Sequence, residues 1–232
     1  MAALVIRNEN DSGLGLIEDA LTAKYSQVDI VSRECPDSLR LNDRHKLLLL
    51  LGSSWSTYWD SVQTEVRAEQ SLVIDAVWRD LPILGICYGA QIISSAFGGT
   101  VTRMTCPEVG WSNVESTGQC SVFEGRWMQW HYDSFTAPYG FEVLATNSAG
   151  VQAIRRGRSL GVQFHPEANE AVVTKWMEGD GVAELAALGI SPSALLEETR
   201  REVSRTTVAT RELIEWFLEN VAQGSTAHRS GN

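Results

Sequence analysis

The 232-residue chain has no run of about 20 apolar residues, so nothing in it reads as a membrane span. Its opening apolar stretch, Met1 to Ile6, runs straight into Arg7-Asn8-Glu9-Asn10 and is too short for a secretory leader. Cysteine is scarce. Cys35, Cys87, Cys106 and Cys120 show no C-x-x-C spacing and no disulfide framework, which suits a reducing cytosol and predicts a cytoplasmic protein. Positive charge is also in deficit, with 19 Lys and Arg against 29 Asp and Glu and a net charge of −10. That balance argues against nucleic acid and an anionic membrane surface as partners. Internal repeats, metal-ligand clusters, Walker-type loops and G-x-G-x-x-G fingerprints are missing, so no metal and no cofactor is expected.

What is present is an enzyme-like alternation of strands and helices. Ala3–Ile6 and Val28–Ser32 read as strands, with a helix over Gly13–Tyr25 between them. Leu47 to Leu51 are five consecutive leucines ending at Gly52, the pattern of a strand buried on both faces in a parallel sheet. Trp55–Trp78 predicts one or two helices, with Glu65, Arg67 and Glu69 on a solvated face. Thr100–Arg103 begins an edge hairpin, Val109–Val114 is a further strand, and Phe141–Asn147 with Val151–Arg156 form a hairpin-like pair. Helices follow over Ala168–Met177, Gly181–Leu188 and Pro192–Val221. The fold class is α/β: a doubly wound, mostly parallel sheet with helices on both faces and a C-terminal helical extension. The expected divisions are a main domain over 1–170, a helical extension over 171–222 packed on it, and a disordered tail over 223–232.

Two motifs carry chemistry. The first is Leu84-Gly85-Ile86-Cys87-Tyr88-Gly89-Ala90-Gln91, placed between a short apolar strand and a helix. Glycines on either side of Cys87 allow a sharp turn that lifts one reactive side chain above the sheet edge. Amides at the start of the helix then favour a thiolate and can donate to an oxyanion. The second is Gly161-Val162-Gln163-Phe164-His165-Pro166-Glu167, where a strand over Ser159–Phe164 runs out at Pro166. His165 and Glu167 project to the same side of an extended chain, so the carboxylate can orient the imidazole as a base for the thiol. His131 is the chief rival base, but it lacks a strand-end His-Pro-Glu setting. His45 and His228 lie in polar loop or tail, and Cys106 beside Pro107 has no recognisable partner.

These two motifs, in this order, resemble those of the class I (triad) glutamine amidotransferases, a flavodoxin-like family. The closest likeness is to stand-alone members resembling the amidotransferase domain of GMP synthase. The resemblance covers about residues 1–170 and implies Cys87, His165 and Glu167 as a catalytic triad acting on L-glutamine. It places an oxyanion hole at the Tyr88 amide and at an amide of the loop holding Gly52 and Ser53. There Ser53 and Ser54 stand where the family carries the end of a Gly-Gly-Pro-like loop. Gln91, His131, Tyr132 and Asp133 are implied as substrate-binding, with Asp133 suited to the ammonium of glutamine. No ATP-binding synthase segment is visible, so the expected ammonia acceptor sits on a separate synthase subunit. Two other readings stay open: a γ-glutamyl hydrolase of γ-linked conjugates, and a glutamine-binding module without turnover.

Overall fold

The computed structural model describes residues 1–10 and 13–223, and the predicted tail from 224 on, with His228, lies outside them. The elements in order are β1 (Ala2–Arg7), α1 (Glu18–Lys24), β2 (Gln27–Ser32), β3 (His45–Leu50), α2 (Gln63–Trp78), β4 (Ile83–Ile86) and α3 (Tyr88–Ala96). The chain continues through β5 (Val101–Ser116), β6 (Gly125–Phe135), β7 (Glu142–Asn147), β8 (Gly150–Arg156) and β9 (Ser159–Val162). It closes with α4 (Glu170–Trp176), α5 (Gly181–Ala187) and α6 (Pro192–Asn220). Among the described residues the strands form one sheet in the order β2-β1-β3-β4-β9-β8-β7-β5-β6.

The leucine run explains the layering. Side chains alternate across a strand, and Leu47 and Leu49 enter one core while Leu48 and Leu50 enter the other. The first core holds Leu21 of α1 with Leu213, Ile214 and Phe217 of α6; the second holds Val66, Leu72 and Val73 of α2 with Ile92 and Ile93 of α3. Helices therefore cover both faces of the parallel half, β2-β1-β3-β4-β9, as a doubly wound sheet requires. Beyond β9 the pairing turns antiparallel through β8, β7, β5 and β6. This arm carries its own core, in which Trp111 and Met128 meet Val173, Leu185 and Leu195 from the last three helices and Met177 just after α4.

Several elements differ from the sequence expectation, each for a local reason. The first helix begins at Glu18 because Gly15 has φ +51° and is pinned beside residue 167: Leu16 N–H donates to Glu167 O at 3.0 Å, after which a 3₁₀ turn leads into α1. The two strands expected over 100–114 are one long β5 with a register shift between Arg103 and Glu108, where Pro107 lacks the N–H to continue the ladder. β9 stops at Val162: Gln163 N–H still donates to Gln152 O of β8, but His165 N–H turns to Met128 O of β6. His45 is no loop residue but a buried one at the start of β3, 3.0 Å from Asp29 Oδ2. Glu69 is a correction of larger consequence. It leaves the solvated face assigned to it and is fully buried against Arg33.

Candidate active site

β4 and β9 lie side by side and parallel, with Leu84 paired to Leu160 and Ile86 to Val162. Their carboxyl ends deliver the two sequence motifs to one place. Cys87 sits between β4 and α3 with φ 51° and ψ −109°, a conformation that side chains other than glycine rarely adopt. The turn can be this tight because its glycines have no Cβ. One added at Gly85 would stand 2.5 Å from Gly89 O, and one at Gly89 would stand 2.2 Å from Leu50 O. Cys87 N–H is anchored on Val162 O at 2.8 Å, so the elbow is tied directly to the neighbouring strand.

His165 follows on the far side. Its Nδ1 lies 2.7 Å from Glu167 Oε1, and both side chains are buried. Burial alone would depress the imidazole, but the Glu167 charge and the nearby Cys87 sulfur outweigh it and push His165 up to about 10. Its Nε2 makes no geometrically formed hydrogen bond among the described residues, leaving that nitrogen available beside the thiol. The ring of Trp176 packs on the imidazole at 4.5 Å between centroids. From behind, Thr210 of α6 donates to Pro166 O at 2.7 Å and fixes the His-Pro-Glu turn.

The Gly52–Ser54 loop completes the third side. Gly52 leaves room that a larger residue would take: a Cβ there would lie 3.1 Å from His165 Cε1 and 3.6 Å from Cys87 Cβ. Ser53 is not among the residues at positive φ, so serine fits its backbone. Its hydroxyl donates to Asn8 Oδ1 at 2.6 Å and accepts from Trp55 N–H at 3.1 Å, which ties the loop down. The N–H groups of Gly52, Ser53 and Tyr88 have no protein acceptor among the described residues. Amides in that state can receive an oxyanion.

A cavity of about 890 Å³ opens over these groups, and Cys87, His165, Gln91, His131, Tyr132 and Asp133 all line it. Asp133 is buried and accepts from Ser56 Oγ at 2.5 Å and Tyr58 OH at 2.8 Å, with Arg103 at 3.9 Å. His131 is committed elsewhere: its Nε2 faces Glu108 Oε2 at 3.1 Å and its Nδ1 faces Asp133 O at 3.0 Å. It thus holds the wall together and has none of the coupling to Cys87 that His165 has. Tyr132 carries the Arg103 guanidinium over its ring at 4.4 Å. Gln91 donates to Gln163 Oε1 at 3.3 Å.

Some residues at the site carried no readable signal. Gln163 lies within the second motif with no signal of its own, yet its side-chain amide points at Cys87 Sγ at 3.5 Å. Ser56 and Tyr58 sit in an unremarkable loop stretch and reach Asp133 from 77 and 75 residues away. Trp176 and Glu184, on the helices after the second motif, wall the cavity together with Trp130, whose Nε1 donates to Glu184 Oε2 at 3.0 Å.

Known proteins are similar to this chain in sequence and in fold. Among curated relatives, GMP synthase [glutamine-hydrolyzing] of Aeropyrum pernix is 36% identical over 135 residues, which is 53% of this chain and 26% of that protein. The chain thus spans about a quarter of the length of that relative. A glutamine amidotransferase from Thermotoga maritima superposes with a TM-score of 0.83 at 28% identity, covering 94% of this chain and 98% of that one. One from Methylobacillus flagellatus gives 0.81 at 19% identity over 100% and 99% of the two chains, a likeness of fold alone. The family model for glutamine amidotransferase class-I matches residues 16–178. The elbow, the paired strand ends and this match lead to one conclusion: the chain belongs to the class I glutamine amidotransferases.

Proposed function

We propose that this protein hydrolyses the side-chain amide of L-glutamine, with Cys87, His165 and Glu167 as its catalytic residues. The observation that carries the reading is the buried 2.7 Å contact of His165 with Glu167 at the end of β9, beside a cysteine held at positive φ at the end of β4. In this reading the Cys87 thiolate attacks the amide carbon, and the oxyanion rests on the N–H groups of Tyr88 and of Gly52 or Ser53. The His165 imidazolium protonates the departing ammonia, leaving a γ-glutamyl thioester. Neutral His165 then takes a proton from water, which attacks the thioester, releases glutamate and restores the thiolate–imidazolium pair. Asp133 is suited to the substrate ammonium, with Gln91, His131 and Tyr132 lining its surroundings. The ammonia would pass to an acceptor held by a synthase partner, a reading supported by the GMP synthase names of the matched relatives.

The test is release of ammonia and glutamate from L-glutamine, beside Cys87→Ala as the blank, with mass spectrometry after a glutamine-mimicking electrophile. Turnover lost in Cys87→Ala, with the label on Cys87, supports the reading. A folded wild-type protein with neither label nor turnover overturns it.

One observation favours a second reading. The cavity of about 890 Å³, lined by Trp55, Trp59, Trp130 and Trp176, exceeds what free glutamine fills and falls in the range of about 300–1,000 Å³ that takes larger ligands. A γ-glutamyl hydrolase would use this space for a bulky leaving amine. A higher kcat/KM for such amides than for glutamine would select it.

A further inference from the structure

Arg33 leaves the end of β2 and runs beneath the Gly52–Ser54 loop with its side chain wholly out of solvent. Its Nη2 donates to Leu51 O at 2.9 Å and to Ile6 O at 3.5 Å, and its Nη1 donates to Gly52 O at 3.2 Å. The guanidinium carbon stands 4.5 Å over the ring of Tyr88. Its Nε faces Glu69 Oε1 of α2 at 3.4 Å, and neither side chain has any exposed surface. Neither Glu69 oxygen has a hydrogen-bond partner among the described residues, so Arg33 is what the carboxylate faces. Burial pushes the Glu69 carboxyl up and the Arg33 cation pulls it back; burying such a pair is costly, and an apolar pair of equal volume would commonly pack at least as well. A pair kept here invites a reason other than stability.

The planarity of the peptide bond supplies one. In a trans peptide the C=O and the N–H point in opposite directions. Leu51 O belongs to the peptide that carries Gly52 N–H, and Gly52 O to the one that carries Ser53 N–H. A cation gripping both carbonyls from below turns both N–H groups away from itself, and charge-assisted hydrogen bonds to those oxygens polarise the same peptides. The guanidinium also packs on Tyr88, whose amide opens α3.

We propose that Arg33, countered by Glu69, is the positioning residue of the oxyanion site, aiming the Gly52 and Ser53 amides from behind the loop without touching substrate. This rests on the reading of Cys87 as the nucleophile. Glu69 holds the guanidinium in place, and the pair couples α2 to the loop.

The experiment compares two reactions of Cys87 in the full chain, in wild type and in Arg33→Lys, Arg33→Met and Glu69→Gln. Acylation by p-nitrophenyl acetate passes through an oxyanion; alkylation by iodoacetamide displaces iodide without one. Both are read at Cys87 by peptide mass spectrometry, since Cys35, Cys106 and Cys120 are free as well. Loss of an oxyanion donor costs about 10²–10³-fold, so misaimed donors are expected to slow acylation by about 10-fold or more while alkylation stays within about 2-fold. Glu69→Gln should show the same split, smaller. Neither reagent is glutamine, so the result stands whatever the natural substrate. Glutamine turnover that survives Cys87→Ala would overturn the nucleophile reading. Equal losses in both reactions, no loss in either, or unfolding of all three variants by circular dichroism would overturn the role of Arg33.

Discussion

His165 Nδ1 lies 2.7 Å from Glu167 Oε1 in a setting closed to solvent, and that carboxylate keeps a buried imidazole charged near neutrality. In Glu167→Gln the burial that depresses His165 remains and the principal charge that raises it is gone. Its pKa is therefore expected to fall from about 10 to well below that value, read by NMR titration of the imidazole. Loss of the charged acid should lower glutamine turnover by about 10²-fold or more. Stability follows the same linkage. A group whose folded pKa of about 10 lies above its ordinary 6.5 stabilises the fold fully below 6.5, and that contribution is lost as pH rises toward 10. Melting temperatures taken across that window should fall more steeply for wild type than for Glu167→Gln.

Gly89→Ala should be severe. The new methyl would stand 2.2 Å from Leu50 O, and Leu50 is held in β3 by its pairing with Ile6 and Gly85, so the obstacle cannot swing aside. The expected loss is about 3 kcal/mol, the upper end for overpacking, seen in chemical denaturation. Gly118→Ala, where nothing lies within 4 Å of the added atom, should stay within about 0.5 kcal/mol of wild type.

Asp133→Asn separates binding from chemistry. The carboxylate is suited to the substrate ammonium and is already held by Ser56 and Tyr58. Removing its charge is expected to raise KM for glutamine by about 10-fold with a smaller change in kcat. An unchanged KM would assign Asp133 to bracing the loop that carries Ser56 and Tyr58.

Thr210→Val keeps the shape of the side chain and deletes the donor to Pro166 O. A carbonyl left unpaired costs about 1–3 kcal/mol, and since Pro166 lies between His165 and Glu167, kcat should fall together with stability. Thr207→Val removes a bond within its own helix at an exposed position and should leave both within about 0.5 kcal/mol.

The parts of this molecule that announce themselves in the sequence are those governed by neighbours along the chain. Leucines at 47–51 reveal a strand buried on both faces, because alternation sends successive side chains into both cores. Gly85 and Gly89 around Cys87 reveal the elbow, since only a turn that tight needs both glycines. Glu69 shows the limit. It sits between Ala68 and Gln70 on α2, and its counter-charge at Arg33 comes from just past the end of β2, 36 positions earlier. The helical spacing of Val66, Glu69, Leu72, Val73 and Ala76 puts Glu69 on the buried stripe of α2, but nothing local names its partner. Gln163 fails to stand out for a similar reason: its partners Cys87 and Gln91 meet it only after β4 and β9 lie side by side. The aromatic wall of Trp130 and Trp176 likewise depends on how α4 folds back over β6.

The pairing of Ile86 with Val162 sets a ruler for the chemistry. Hydrogen-bonded strands stand about 4.8 Å apart in any sheet, so the lattice of β4 and β9 brings the two motifs side by side, and the bond from His165 N–H to Met128 O fixes the base beyond the end of β9. Met128, on β6 of the antiparallel arm, therefore enters that measure, whereas among the described residues β5 and β7 pair only with strands of the arm itself. Changes in the arm that leave β6 in place at Met128 can therefore redraw what the pocket admits while the spacing of the reacting groups stays fixed.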